Sequence, residues 1–250
     1  GIRHMFFTRR GGVSKGVFES MNCRPCDNSD DPRSIAMNRE IARQALGAEA
    51  LLTLVQRHTD KILLVDRPLD MKAVESFEGD GIITNQKKLA IGVLTADCVP
   101  VLIASSDGKW VGAVHCGWQG LVAGIPSAAV RKFAGLGYAP QDLRIAFGPC
   151  LKRQNYEVAA DFIGGVSKVS GVSGKSLFSK RKNGKYLFDC AKFCRREWEK
   201  LGIRKIEILL WDTYAEKDLF FSYRRDVQTG CYANGNPLDS GRQLSAIMIK

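Results

Sequence analysis

Apolar positions along the chain fall mostly into short runs cut by Gly, Pro and polar punctuation, the pattern of a strand-rich protein. FFTRRGGVSKG (6–16) reads as a strand entering a Gly-rich turn, and LLTLVQRHTDKILLVD (51–66) as two strands meeting near His58. GDGIITN (79–85), LAIGVLTADCVPVLIA (89–104), WVGAVH (110–115) and LRIAFGP (143–149) continue the strands. KIEILLWDT (205–213), FFSYRRD (220–226) and RQLSAIMIK (242–250) close the chain in the same way. Helical spacing is confined to a few segments. In DDPRSIAMNREIARQALGA (30–48), Asp30 or Asp31 suits the N-cap, Pro32 the first turn and Gly47 the end. Further helices are expected over about 120–136, from YEVAADFI (156–163), and over the amphipathic DCAKFCRREWEKLG (189–202). Strands outnumber helices and come in runs, which predicts α+β rather than regular βαβ alternation. No linker divides the chain. The Gly/Ser/Lys stretch 163–185 reads as a loop within one domain, 1–250.

Composition narrows the class. The 45% hydrophobic and 25% charged fractions are those of a globular protein. No apolar run approaches the roughly 18 residues of a membrane span. GIRHMFFTRR has no signal-peptide core, and eight cysteines in 250 residues are too few for a disulfide scaffold, so reduced thiols and a cytoplasmic location are expected. The net charge of +11 comes from scattered residues without a nucleic-acid-binding motif, which points away from nucleic acid and toward a solvated face or an anionic small substrate.

The chemistry concentrates in TADCVPVLIASSDGKWVGAVHCGWQG (95–120). Asp107-Gly108 signals a tight hairpin turn, because Gly supplies positive φ without a steric penalty. A turn centred there sets Cys98 opposite Gly117 and His115 opposite Pro100. Cys98 and His115 then share a face as diagonal neighbours, about 7–8 Å apart or closer. His58 in VQRHTD lies at another strand-to-turn junction. One thiolate and two imidazoles leave a corner free on a tetrahedral ion, the layout of catalytic zinc, and would also suit a His2Cys copper site. On spacing alone, a buried thiol with two hydrogen-bonded core histidines is the competing arrangement.

The series FFTRRGGVS, TADCVPVL, AVHCGWQG, FGPC, YEV, FSYRR and GRQLSAI, in that order along nearly the whole chain, resembles the laccase-domain or "multicopper polyphenol oxidase" family. Members of that family are assigned purine nucleoside phosphorylase and adenosine deaminase activities. The resemblance implies one domain with two mixed sheets stacked between helical layers (α/β/β/α), similar to the catalytic domain of cytotoxic necrotising factor deamidases. It implies zinc ligands at His58, Cys98 and His115. It also places Arg9, Asn22, Asn38 and Tyr156 at family positions. Three departures stand out: Thr59 where the family usually has Gly, and Cys116 and Gln119 where it usually has Ala and Arg. VQTGCYANGNPLDS (227–240) reads as a surface insertion.

The implied activity is zinc-dependent phosphorolysis of adenosine, inosine or S-methyl-5′-thioadenosine, with adenosine deamination beside it. Zinc can lower the pKa of water toward 7, which suits deamination. The glutamate of the zinc deaminases' H-x-E motif is missing here, since the chain reads His58-Thr59-Asp60 and His115-Cys116-Gly117. Asp97 and Asp80 are therefore the candidate proton carriers. Phosphate calls for guanidinium groups, with Arg9, Arg224 and Arg225 as candidates and Asn22 beside them. Three other readings compete. A cysteine amidase acting on a cell-wall precursor would use Cys98 as nucleophile and His115 as base. A copper-dependent polyphenol oxidase would bind copper at the same residues, although three histidines are too few for a multicopper enzyme. A structural zinc clip would join Cys23-x-x-Cys26 to Cys190-x3-Cys194 in an interaction module.

Overall fold

In this computed structural model, which describes residues 1–25, 30–68, 74, 76–170, 176–231 and 240–250, the apolar runs assemble into three sheets. The first has four strands in the order β1 (Ile2–Phe6), β13 (Gln243–Ile249), β5 (Leu89–Thr95) and β2 (Ala50–Leu52). The second has six, in the order β12 (Lys205–Ile208), β8 (Leu143–Phe147), β6 (Val99–Ser105), β7 (Val111–Cys116), β4 (Gly81–Thr84) and β3 (Ile62–Val65). Both are mixed: β2–β5, β3–β4 and β8–β12 run parallel, and the other pairs antiparallel. A small third sheet joins β10 (Phe178–Lys180), β11 (Tyr186–Phe188) and β9 (Glu157–Val158).

The period of two along each strand decides the layering. Leu89, Ile91 and Val93 of β5 meet Leu102 of β6 and Val111 and Ala113 of β7 between the two large sheets. The intervening Ala90 and Leu94 face outward with Leu244, Ala246 and Met248 of β13, where Ala42 and Leu46 of helix α1 (Pro32–Leu46) cover them. On the far side, Val99, Val101 and Ile103 of β6 pack under three helices: α2 (Trp118–Ala123), α3 (Ile125–Gly135) and α5 (Cys190–Lys200). Two further helices complete the described set, α4 (Ala160–Ser170) and α6 (Tyr223–Thr229). The expected α/β/β/α stack is the observed one. Every residue of β5 is buried because both of its faces are covered, which is why that run reads as continuous rather than alternating.

Helix α1 starts and stops where its sequence dictates. Asp31 caps it by accepting from Arg33 N and Ser34 N, and Gly47 ends it at φ +69°. Four local expectations are corrected. FFSYRRD is no strand: Ser222 accepts from Arg225 N as the N-cap of α6, which Gly230 terminates at φ +67°. The single helix expected over 120–136 is two, broken at Gly124, whose φ of +91° is followed by Pro126. Within 163–185, α4 continues to Ser170 and β10 follows, so the stretch is not one loop; residues 171–175 lie outside those described. Of the supposed insertion 227–240, residues 227–229 finish α6, and 232–239 lie outside the described residues.

Candidate functional site

The β6–β7 ladder pairs Val99 with Cys116 and Pro100 with His115, the register that the Asp107-Gly108 turn imposes. Cys98 lies one residue before β6, in the connection from β5, and is partly exposed where its surroundings are buried. His58 comes from the irregular segment between β2 and β3. Gln56 clamps that segment to β5: its Nε2 donates to Leu94 O at 2.8 Å, and its Oε1 accepts from Leu94 N at 2.7 Å. The side-chain amide thus takes a strand's place in the ladder, two residues before the histidine. His58 holds φ at +60°, an uncommon value for a non-glycine residue, and one that turns the chain back toward Cys98.

The donor atoms of His58, Cys98 and His115 all lie within 4.8 Å of one another. Cys98 Sγ is 3.8 Å from His58 Nε2, and the two imidazole rings meet edge to face with centroids 4.8 Å apart. Tetrahedral zinc with ordinary Zn–N and Zn–S bonds requires donors about 3.3–3.6 Å apart, so the trio closes on an ion with small adjustments. Among the described residues no other group of three such side chains converges. The donor set of one soft sulfur and two nitrogens fits zinc and fits copper, and the geometry leaves the metal's identity open.

Asp80, fully buried at the start of β4, organises both histidines. Its Oδ1 accepts from His115 Nδ1 at 2.8 Å and from His58 N at 2.9 Å. Its Oδ2 accepts from Arg57 N, Thr59 N and Thr59 Oγ1 at 3.1, 2.7 and 2.9 Å. An ionised carboxylate only accepts, so His115 Nδ1 carries a proton toward Asp80 and Nε2 is left facing Cys98. Burial works to raise the Asp80 pKa, but His115 and Thr59 hold it down at about 2. Thr59, a departure from the family pattern, adds a hydroxyl donor to this hub. Asp80 was expected as a proton carrier; five accepted hydrogen bonds make it a positioning group.

Charge and shape at the site agree. Burial opposes a charge on Cys98, yet His115 and His58 beside it bring the thiol down to about 6. Burial likewise disfavours a charge on His115, but Cys98 and Asp80 hold its pKa up at about 10. Gly117, directly after His115-Cys116, is needed for the trio to close. A Cβ there would lie 2.5 Å from His58 Cδ2 and 3.1 Å from Cys98 Sγ. Sequence reasoning treated that glycine as a chain exit and missed its role; its place in the HCGWQG run was the available signal.

The other site candidates lie elsewhere in the network. Asp97 stands at φ +97°, and its side chain accepts from Thr213 Oγ1 at 2.6 Å and from Arg224 N at 2.7 Å. Burial raises its pKa. It ties the turn bearing Cys98 to the start of α6. Arg225 commits Nη1 to the carbonyls of Thr213 and Tyr214 and Nη2 to that of Phe220. Arg9 donates to the carbonyls of Glu19 and Lys217 and lies over the Phe221 ring at 4.5 Å. Arg224 donates to Glu157 O and lies 5.2 Å from the Tyr156 ring centroid. Asn22 and Asn38 are fully buried; Asn38 Nδ2 donates to Ser14 Oγ and to the carbonyls of Ser20 and Asn22. Gln119 is exposed on α2. The zinc clip does not form: Cys23 packs under α1, whereas Cys190 and Cys194 sit in the core beneath the opposite helical layer, with Cys194 against Cys116. Cys26 lies outside the described residues.

The sequence profile of the family described as "Multi-copper polyphenol oxidoreductase laccase" matches residues 3–250. A purine nucleoside phosphorylase of Deinococcus radiodurans is 33% identical over 235 residues, covering 92% of this chain and 86% of the relative. One of Streptomyces coelicolor is 34% identical over 230 residues, covering 91% and 92%. Among solved structures, the Bacillus licheniformis protein YfiH superposes with a TM-score of 0.87 at 26% identity, covering 100% of this chain and 93% of that one. A Neisseria meningitidis protein of family DUF152 does so with 0.84 at 28% identity, covering 100% and 94%.

Proposed function

The chain belongs to the multi-copper polyphenol oxidoreductase laccase family, and from that premise we propose that it is a metal-dependent purine nucleoside phosphorylase. Its substrates in this reading are adenosine, inosine or S-methyl-5′-thioadenosine together with phosphate, and adenosine deamination is a side activity. The observation that carries the reading is the three-donor cluster with an open corner, in a chain about a third identical to proteins named purine nucleoside phosphorylase. A bound zinc ion would supply Lewis acidity at that corner. The protein's own part is to hold the donors: Asp80 orients the His115 ring and the His58 backbone, Gly117 admits the His58 ring and the Cys98 sulfur, and Asp97 secures the Cys98 turn. Copper fits the same donors, and weak phenol oxidation could accompany it. Of the three histidines in the chain, His4 lies in β1 away from the cluster, so a multicopper centre has no ligands here.

A second reading is supported by the Cys98 thiol beside two imidazoles that draw its pKa down: a cysteine-type amidase with Cys98 as nucleophile and His115 as base. Chromatography of products from adenosine, with and without phosphate, separates the two. Phosphorolysis yields adenine and ribose 1-phosphate only when phosphate is present, with some inosine and ammonia. Absence of free base in every condition would remove the phosphorylase reading and favour the amidase.

A further inference from the structure

One margin of the six-stranded sheet is open. β12 pairs on one side with β8, in parallel, and among the described residues no strand pairs with its other side. Leu209 N donates to Phe147 O at 3.0 Å, so the alternation of a strand aims the backbone groups of Lys205 and Glu207 at β8 as well. Those of Ile206 and Ile208 point outward, a short row of N–H and C=O groups that another strand can use. The side chains alternate too. Ile206 and Ile208 pack against the core beneath the helices, whereas Lys205 and Glu207 stand exposed on the opposite face.

This edge complements itself in charge. Antiparallel pairing with a second copy must set outward-pointing residues opposite one another, which leaves few registers. Those centred on Lys205 or Glu207 place like charges face to face across the axis, and one centred on Ile208 places Glu207 against Leu209. The register centred on Ile206 sets Lys205 of each copy opposite Glu207 of the other, twice over. Within its own chain neither side chain forms an ion pair among the described residues. Arg144, exposed beside Lys205 in the β8–β12 register, adds to the attraction for an incoming carboxylate. Directly after the strand come Leu209, Leu210 and Trp211, which are 39, 85 and 46% exposed. Three large apolar side chains in succession at a sheet margin suit a surface that a partner shields.

We propose that the chain forms a two-fold homodimer by antiparallel pairing of its β12 edges about Ile206, so that the six-stranded sheets of two copies become one continuous sheet. Ile206 of each copy exchanges both backbone hydrogen bonds with its counterpart, and Lys205 meets Glu207 on either side of the axis. The same register carries Leu210 of each copy over the turn that follows α5 in the other, at Gly202 and Ile203, and covers it there. The contact is isologous and uses up both β12 margins, so pairing through this edge stops at two. The dimer is independent of the reaction assigned to the metal cluster, since neither the three donors nor Asp80 belongs to β12.

The test is sedimentation velocity of the full-length, metal-loaded protein up to high micromolar concentration, at low ionic strength where exposed pairs are least screened. The unaltered chain should sediment as a dimer. Lys205→Glu and Glu207→Lys each turn both cross-axis pairs into like-charge pairs and should weaken dimerisation roughly tenfold or more, with bound metal unchanged. Mixed together, the two single variants should form a heterodimer at the unaltered affinity, because each supplies the charge that the other lacks. A chain carrying both substitutions should dimerise by itself. Ile206→Pro should be monomeric, since it removes the outward N–H on the axis and no hydrogen bond to β8. Should that variant fail to fold, the charge reversals at two exposed positions decide. A monomer at every concentration, a dimer that tolerates both single reversals, or a mixture that does not associate overturns the proposal.

Discussion

The His58–Cys98–His115 cluster and the Arg9–Arg225 pair both lie where loops meet strand ends, yet their polar atoms are used differently. Arg225 delivers its N–H groups to three backbone carbonyls and Arg9 delivers its own to two, so those guanidinium groups brace the segment 213–222. In the cluster the reverse holds. Asp80 takes up the backbone N–H of His58 and the Nδ1 of His115, and that leaves the remaining ring nitrogens and the Cys98 sulfur turned toward one another. Residue type makes both groups look functional. Which atoms remain uncommitted separates scaffold from site.

Substitutions can break this comparison at graded strength. Cys98→Ala or His115→Ala should abolish stoichiometric metal and lower activity by well over about a hundredfold, more than losing a supporting partner does. Elemental analysis beside turnover checks it, and full metal retention in either variant would remove that residue from the ligand set. Asp80→Asn keeps the shape but weakens the hold on both histidines. Metal affinity should fall about 10–100-fold in competition with a chromophoric chelator.

Arg225→Gln should act on the other side of the comparison. Loss of its charge-assisted bonds should cost about 2–3 kcal/mol of stability, read by thermal or denaturant unfolding, with phosphate affinity unchanged. A loss of phosphate binding with unaltered stability would reverse the assignment. The smallest effect concerns Asp226 in α6, whose pKa burial lifts from 3.8 to about 6 despite the opposing field of Arg225. A carboxyl with a raised folded-state pKa favours folding while protonated. Its contribution therefore falls as pH rises from about 4 through 6. Asp226→Asn should flatten the stability–pH curve across that window, and an unchanged slope would contradict the burial argument.

Sequence reasoning succeeded where local rules decide. The Asp107-Gly108 turn fixed the β6–β7 register residue by residue, and with it the approach of Cys98 to His115. The α1 caps were equally legible, since capping is settled within one helical turn. Helix α6 was misread because Phe220 and Phe221 supply a strand-like apolar pair while being buried in the loop ahead of the cap. Asp80 was picked out, but its role was not, because its partners arrive from 21 to 35 positions away. What a side chain can do depends on which neighbours the fold has already given it.

The central claim is that three side chains share one divalent ion and leave a corner open. X-ray absorption at the zinc edge on the zinc-loaded protein tests it most directly. The account predicts one ion per chain with two nitrogen donors at about 2.0–2.1 Å, one sulfur at about 2.3 Å and one exchangeable light atom. A second sulfur, a fourth protein donor that cannot be exchanged, or failure to load zinc at all would contradict it.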